Sequence, residues 1–293
     1  MKPAPFEYFS PLKLEEAIAL LEEHGEDAKV LAGGQSLIPL MNMRLAMPKY
    51  LIDINKLDGL DQIMEVNGHL EIGALTRHHR IVSSELIREK CPLLAEAAKH
   101  IGHRQVRYRG TIGGSVAHAD PAGEFPTVVT ALDGEIKLVG PKGERWVKPE
   151  AFFLGYLMTT MEPTEILTEI RLPVSPVGSG WSVQELARKE NYFAIAGAIC
   201  LLAFDGDKVT QVDLGLMGVS PAPLKPRGAE DELRGNAFSD VIIEKVAKSV
   251  METVEPESDL HGSEAYRREM AGVVTKRALK EAFSLAVKGG GGL

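Results

Sequence analysis

The sequence predicts an α+β protein of three lobes. Three observations predict it: a strand–turn–helix–strand unit at the N-terminus, a central stretch where short strands and helices mix, and a C-terminal stretch of strands followed by two helices. The chain has 293 residues, 44% of them hydrophobic and 25% charged. That is enough apolar material for two or three compact units.

In the first lobe, residues 1–55, Leu14, Ala17, Ile18 and Leu21 recur at helical spacing and Gly25 closes the run. Residues 28–32 read as a short buried strand. Residues 36–41 open a helix, where Pro39 is tolerated in the first turn, and residues 50–54 form a second strand. The second lobe, residues 56–175, carries an alternating strand at 70–74, helical patterns at 81–86 and 92–101, a strand entering a turn at 136–143, and a strand at 166–172 closed by Pro173. Residues 173–180 are rich in Pro, Gly and Ser and read as a linker. The third lobe, residues 176–293, has a buried strand at 194–204, a turn at Asp205-Gly206 and a strand at 212–219. Ser239 caps a helix through Val250 with Val241, Ile242 and Val246 facing inward, and Ser263 caps a last helix carrying Tyr266, Met270, Val273, Arg277 and Phe283. Residues 288–292 read as a frayed tail.

The net charge of −8 excludes broad nucleic-acid binding, which needs a basic face, although Arg104, Arg107 and Arg109 form a local basic patch. The two cysteines, Cys91 and Cys200, show no paired spacing, which points to a reducing compartment; two thiols cannot hold an iron–sulfur cluster that takes four. The N-terminus lacks a basic flank before a long apolar core, so no signal peptide is expected. The longest apolar stretch, 194–204, falls short of the roughly 20 residues of a membrane span. A cytoplasmic protein is the expectation. His78, His79, His100 and His103 lack metal-ligand spacing, and no catalytic triad or nucleophile signature is present.

Two glycine-paired turns remain: Leu31-Ala32-Gly33-Gly34-Gln35-Ser36-Leu37 and Gly110-Thr111-Ile112-Gly113-Gly114-Ser115. Glycine lets a phosphate approach the backbone, Ser36 and Ser115 add hydroxyls, and in each turn bare N–H groups are expected to meet an anion. Two such turns far apart suggest one ligand with two phosphates, a dinucleotide. The three-glycine Rossmann spacing is missing. After the second turn come His118, Asp120 and Glu124; carboxylates there would repel phosphate but accept hydrogen bonds from sugar or ribityl hydroxyls. The plainer reading makes Asp120 a local turn cap and Glu124 a solvated charge. Together the turns and their neighbours point to FAD.

The run 32–37, with Met43-Arg44 and Ile52-Asp53-Ile54, resembles the FAD-binding medium subunit of the molybdenum hydroxylases (the xanthine dehydrogenase family), nearest to the aerobic carbon monoxide dehydrogenase type. So do Ile72-Gly73-Ala74-Leu75-Thr76, residues 105–115 with His118-Ala119-Asp120-Pro121, and Tyr266-Arg267-Arg268 with Arg277-Ala278-Leu279. The resemblance runs almost end to end. It implies a vanillyl-alcohol-oxidase-like (PCMH-like) FAD-binding fold with a carbon monoxide dehydrogenase flavoprotein-type C-terminal domain. It implies that Ala32, Gly33, Gly34, Gln35 and Ser36 wrap the pyrophosphate from one side and Thr111, Gly114 and Ser115 from the other. His118, Asp120 and Glu124 would line the ribityl and nearby pyrophosphate, Ile166 and Leu167 would pack near flavin and adenine, and Ile101 would reach the isoalloxazine. Relatives often carry Lys where this chain has Glu185, and either Tyr192 or Phe193 would shield the ring. The implied role is electron transfer beside a large molybdenum-cofactor subunit and a small subunit with two 2Fe–2S clusters, in a dimer of heterotrimers, with no catalytic residue or metal site in this chain. A stand-alone flavin oxidoreductase of the same fold and a non-catalytic assembly scaffold are the rival readings.

Overall fold

The computed structural model describes residues 2–189 and 192–289. Residues 290–292, part of the expected tail, and Glu190 and Asn191, within the stretch around the flavin-shielding aromatics, lie outside the described residues.

The N-terminal sheet is parallel, in the order β1 (Glu7–Phe9), β3 (Tyr50–Asp53), β2 (Ala28–Leu31), with helix α1 (Leu14–His24) before β2 and α2 (Leu37–Asn42) between β2 and β3. Strand β1 is an addition to the sequence reading; three residues carry too little periodicity to announce a strand. Ala17, Ile18, Leu21, Ile52 and Ile54 form its core.

The central lobe is a five-stranded antiparallel sheet. Its order is β4 (Ile63–Val66), β5 (His69–Gly73), β10 (Ile166–Pro173), β6 (Glu135–Gly140), β7 (Gly143–Val147). Six helices lie between β5 and β6: α3 (His78–Ser83), α4 (Glu85–Lys90), α5 (Pro92–His100), α6 (Arg104–Arg109), α7 (Ile112–His118) and α8 (Glu124–Ala131). The helical pattern at 81–86 is thus split. Ser84 adopts extended backbone and its hydroxyl accepts from the Ile87 N–H at 3.3 Å, capping α4; capping competes with continuation at a serine. A short helix α9 (Pro149–Phe152) and a hairpin, β8 (Phe153–Gly155) and β9 (Met158–Thr159), precede β10.

The C-terminal sheet is antiparallel, β11 (Gly180–Leu186), β12 (Ala196–Asp205), β13 (Lys208–Met217), followed by α10 (Arg227–Leu233), α11 (Asp240–Thr253) and α12 (Glu264–Gly289). Ser239 does cap α11, but Val241 is 81% exposed and Ile243 takes the inward position. Lys288 and Gly289 belong to α12 rather than to a tail. The central core takes in Val183, Ile199, Leu201 and Met217 of the C-terminal sheet, so the two lobes share one apolar interior; each such buried side chain contributes about 1.5–3 kcal/mol. Cys91 and Cys200 are free and buried. Among the described residues no helix is long and apolar enough to cross a membrane.

Strand β11 lies directly on α12: a Cβ at Gly180 would stand 1.8 Å from the Ala282 carbonyl oxygen. Gly180→Ala is expected to cost about 1–3 kcal/mol through overpacking, read as a lower urea midpoint with unchanged slope.

Candidate functional site

Strand β2 is drawn into the sheet by Ala28 and Val30 and ends where Leu31 gives its carbonyl to the Ile54 N–H at 3.0 Å. The chain then bends through Gly34 at φ +70, a left-handed conformation that favours glycine. Ser36 starts α2 without a side-chain cap. Among the described residues, no acceptor meets the backbone N–H groups of Gly33, Gly34, Gln35, Ser36 and Leu37, and Pro39 brings no N–H of its own. Helix α2 is only 6 residues long, so its dipole is small; what this turn offers is a row of separate donors.

The second turn differs from its expectation. Ile112 N–H donates to the Thr76 carbonyl (3.0 Å), Gly113 N–H to the Ala74 carbonyl (2.9 Å), Gly114 N–H to Thr111 Oγ1 (3.2 Å) and Ser115 N–H to the Thr111 carbonyl (3.0 Å). Its N–H groups are spent on anchoring α7 to the end of β5. A Cβ on Gly113 would stand 2.4 Å from Ala74 Cβ, so the glycine serves close packing there. The turn is left to offer the Thr111 and Ser115 hydroxyls.

The two turns meet. A Cβ at Gly33 would stand 2.5 Å from the Arg109 carbonyl oxygen and 2.8 Å from Gly110 Cα, and one at Gly114 would lie 3.9 Å from Ala32 Cβ. Two side chains bridge them through three hydrogen bonds. Asn55 Nδ2 donates to the Ala32 carbonyl at 2.8 Å, Arg77 donates to Asn55 Oδ1 at 2.6 Å, and Arg77 also donates to the Arg109 carbonyl. Asp53 Oδ1 accepts from the Asn55 backbone N–H at 2.9 Å, and Tyr8 donates to Asp53 Oδ2 at 2.6 Å. Partial burial opposes ionisation of Asp53, but the hydrogen bonds from Tyr8 and Asn55 win and hold its carboxyl below the usual range. Arg77 is half-buried and makes no ion pair within 4.0 Å among the described residues. Unspent neutral donors and two hydroxyls at one cleft fit a diphosphate, and the Arg77 guanidinium behind them is spent on Asn55 and the Arg109 carbonyl. Sequence reasoning missed Tyr8, Asn55 and Arg77. The only local signal was Asp-Ile-Asn leaving a strand, an Asx-turn pattern.

Beyond α7, Ala119 takes a left-handed conformation (φ 54) after His118, and Asp120 Oδ1 accepts from the Ala122 N–H at 2.9 Å, the turn cap of the plainer reading. Glu124 is not a solvated charge. It opens α8 part-buried, and burial first, then the Glu185 and Asp120 charges, push its carboxyl up to about 8. Glu185, on β11, has a side chain only 10% exposed. Its Oε2 lies 3.5 Å from His100 Nδ1, while Oε1 is buried without a partner among the described residues. The hydrogen bond to Glu185 outweighs burial and raises the His100 pKa. Ile101 ends α5 inside the central core. Ile166 and Leu167 open β10 and point into different cores, the N-terminal and the central one. Tyr192 and Phe193 lie between β11 and β12, 53% and 74% exposed.

Residues 4–175 match the family described as FAD binding domain in molybdopterin dehydrogenase, and residues 181–282 the CO dehydrogenase flavoprotein C-terminal domain. The chain is 41% identical to the carbon monoxide dehydrogenase medium chain of Hydrogenophaga pseudoflava over 97% of this chain and 99% of that one. It is 36% identical to the caffeine dehydrogenase subunit beta of Pseudomonas sp. (strain CBB1), over 96% of each. The solved carbon monoxide dehydrogenase from Hydrogenophaga pseudoflava that lacks the Mo-pyranopterin moiety superposes with a TM-score of 0.95 at 41% identity, covering 97% of this chain and 99% of that one. Quinoline 2-oxidoreductase from Pseudomonas putida 86 superposes at 0.93 with 32% identity, covering 98% and 99%.

The Glu124 carboxyl sets a pH dependence. Its ordinary value is 4.5 and its folded value about 8. Below the lower value it is protonated in both states; between the two only the folded chain retains the proton, so stability of the ligand-free chain falls as pH rises through that window. Glu124→Gln is expected to melt several degrees above wild type at about pH 8 and close to it at about pH 4, measured by thermal unfolding without flavin.

Proposed function

Because the chain belongs to the FAD-binding medium-subunit family of the molybdenum hydroxylases, we propose that it is the electron-transfer subunit of such a complex, taking electrons from the 2Fe–2S clusters of a small partner and delivering them to an external acceptor. It is an oxidoreductase subunit with FAD as its cofactor; molybdenum and iron–sulfur centres belong to other subunits. A large molybdenum-cofactor subunit and a small iron–sulfur subunit complete the assembly, as a dimer of heterotrimers in the cytoplasm. Relatives named for carbon monoxide, caffeine and nicotine differ in substrate while this fold stays the same, in keeping with a substrate pocket on another chain.

The observation that carries the reading is the row of unspent N–H groups from Gly33 to Leu37 facing a second glycine turn. In this reading the first turn binds the diphosphate through backbone donors, and Thr111 and Ser115 bind it through hydroxyls. His118, Asp120 and Glu124 accept from the ribityl. Ile166 and Leu167 shape the wall near flavin and adenine, and Ile101 approaches the ring. Tyr192 or Phe193 covers the ring. Bound FAD supplies a two-electron store between one-electron donors and the acceptor. The chain's own task is to hold that group, orient it and tune it; Glu185 sets a carboxylate beside His100 at this end of the cleft.

The purified chain is expected to take up FAD with a flavin spectrum. Gly34→Leu or Ser115→Leu should reduce bound flavin by at least about tenfold, through a strained φ or a filled cleft. Unchanged flavin content in both variants, or no flavin uptake by the intact complex, overturns the reading.

A further inference from the structure

We propose that Asn55 and Arg77 are positioning residues that set the separation of the two glycine turns at the width of a diphosphate bridge. The proposal rests on the assignment of a dinucleotide to this cleft. The covalent chain does not fix that separation: the turns lie about 80 residues apart in sequence and in different lobes. Their direct contact is between backbone atoms, Gly33 against Arg109 and Gly110, which limits approach but cannot prevent opening. The bridge does that. From the Ala32 carbonyl it runs through the Asn55 amide to the Arg77 guanidinium and on to the Arg109 carbonyl. The amide nitrogen donates to the first turn and to Asp53, the amide oxygen accepts from Arg77, and the guanidinium fork spans two acceptors. A planar fork does this where an ammonium cannot.

The far end is fastened too. Asp53 accepts from both the backbone and the side chain of Asn55 and from Tyr8, which reaches it from the adjacent strand β1. The third strand of the N-terminal sheet thereby joins the site. Residue 77 also pairs with Thr111 in a backbone bridge, so the guanidinium stands on the same short segment that anchors the second turn. Asn55 is exposed, and no buried core depends on its side chain.

The test compares FAD with FMN, which carries the same flavin and ribityl but a single phosphate. Binding of each to the flavin-stripped full chain is measured by quenching of flavin fluorescence, for wild type, Asn55→Ala and Arg77→Lys, with the melting temperature of each ligand-free chain as a check on folding. Both variants are expected to weaken FAD by about tenfold and FMN by far less, so that the preference for FAD collapses while melting is unchanged. Equal weakening of FAD and FMN, or an unchanged preference in both variants, shows that the pair only supports the lobe and overturns the proposal. A wild-type chain that binds neither flavin, or prefers FMN, instead overturns the dinucleotide reading beneath it. Should Asn55→Ala fail to fold, Arg77→Lys, which keeps the charge and most of the volume, decides alone.

Discussion

The close approach of two glycine turns is the constraint on which the rest depends. Gly33 lies so near Arg109 and Gly110 that no side chain fits between. That contact limits how near the N-terminal sheet can come to the central lobe, and the Asn55–Arg77 bridge holds it there with a row of backbone donors at the junction. The division of labour follows from hydrogen-bond accounting. The second turn spends its N–H groups on Ala74, Thr76 and Thr111 and so becomes a rigid wall. The first leaves its own unspent, which in the proposed reading makes it the receptor. A backbone N–H without a partner is costly once buried and cheap while wet, which suits a site whose donors are satisfied by a bound anion.

The other lobe boundary is held differently. Lys225, 6% exposed, lies 2.7 Å from Asp133 of the central lobe and 3.0 Å from Asp213 of β13, and its charges and hydrogen bonds outweigh burial to raise its pKa. Glu230, 3.6 Å away, is pushed up to about 7 by burial. Removing one partner of such a cluster strands the others and typically costs about 3–5 kcal/mol. With the shared apolar core and the Gly218 N–H donating to Pro121 at 2.9 Å, this makes the wall that carries Asp120 and Glu124 continuous with the C-terminal sheet that carries Glu185.

What could be read in the sequence was local. The apolar spacing of α1, the strand at 50–53, the long strands β10 and β12 and the cap at Ser239 are written in adjacent residues, and so is the glycine pairing of both turns. Strand β1 escaped because three residues show no period, and the break at Ser84 because a capping serine looks like any polar residue within a helical run. On the inward face of α11 Ile243 stands where the apolar pattern points to Val241, two residues earlier, because three adjacent apolar residues leave the helical phase open. The bridge could not be read at all: Tyr8, Asn55 and Arg77 are brought together only by the parallel pairing of β1 with β3 and by the anchoring of the segment after β5, Ala74 to Thr76, on the start of α7. The burial of Glu124 was hidden for the same reason, since a carboxylate at a helix start ordinarily sits in water.

These pieces give the cleft a direction. At the turns it presents neutral N–H donors, with the Arg77 guanidinium behind them and Arg109 on the neighbouring helix α6. Helix α7, 7 residues long, spans about 10 Å. Past its end stand Asp120, Glu124 and Glu185, where burial and mutual repulsion favour a protonated Glu124. A ligand with its negative charge at one end and neutral, hydroxyl-bearing chemistry at the other is favoured in one orientation and opposed in the reverse, because turning it would set phosphate against carboxylate in a poorly solvated site. In the proposed reading, orientation comes from charge placed at both ends of one short helix, while the separation of the turns limits which anion fits at its start.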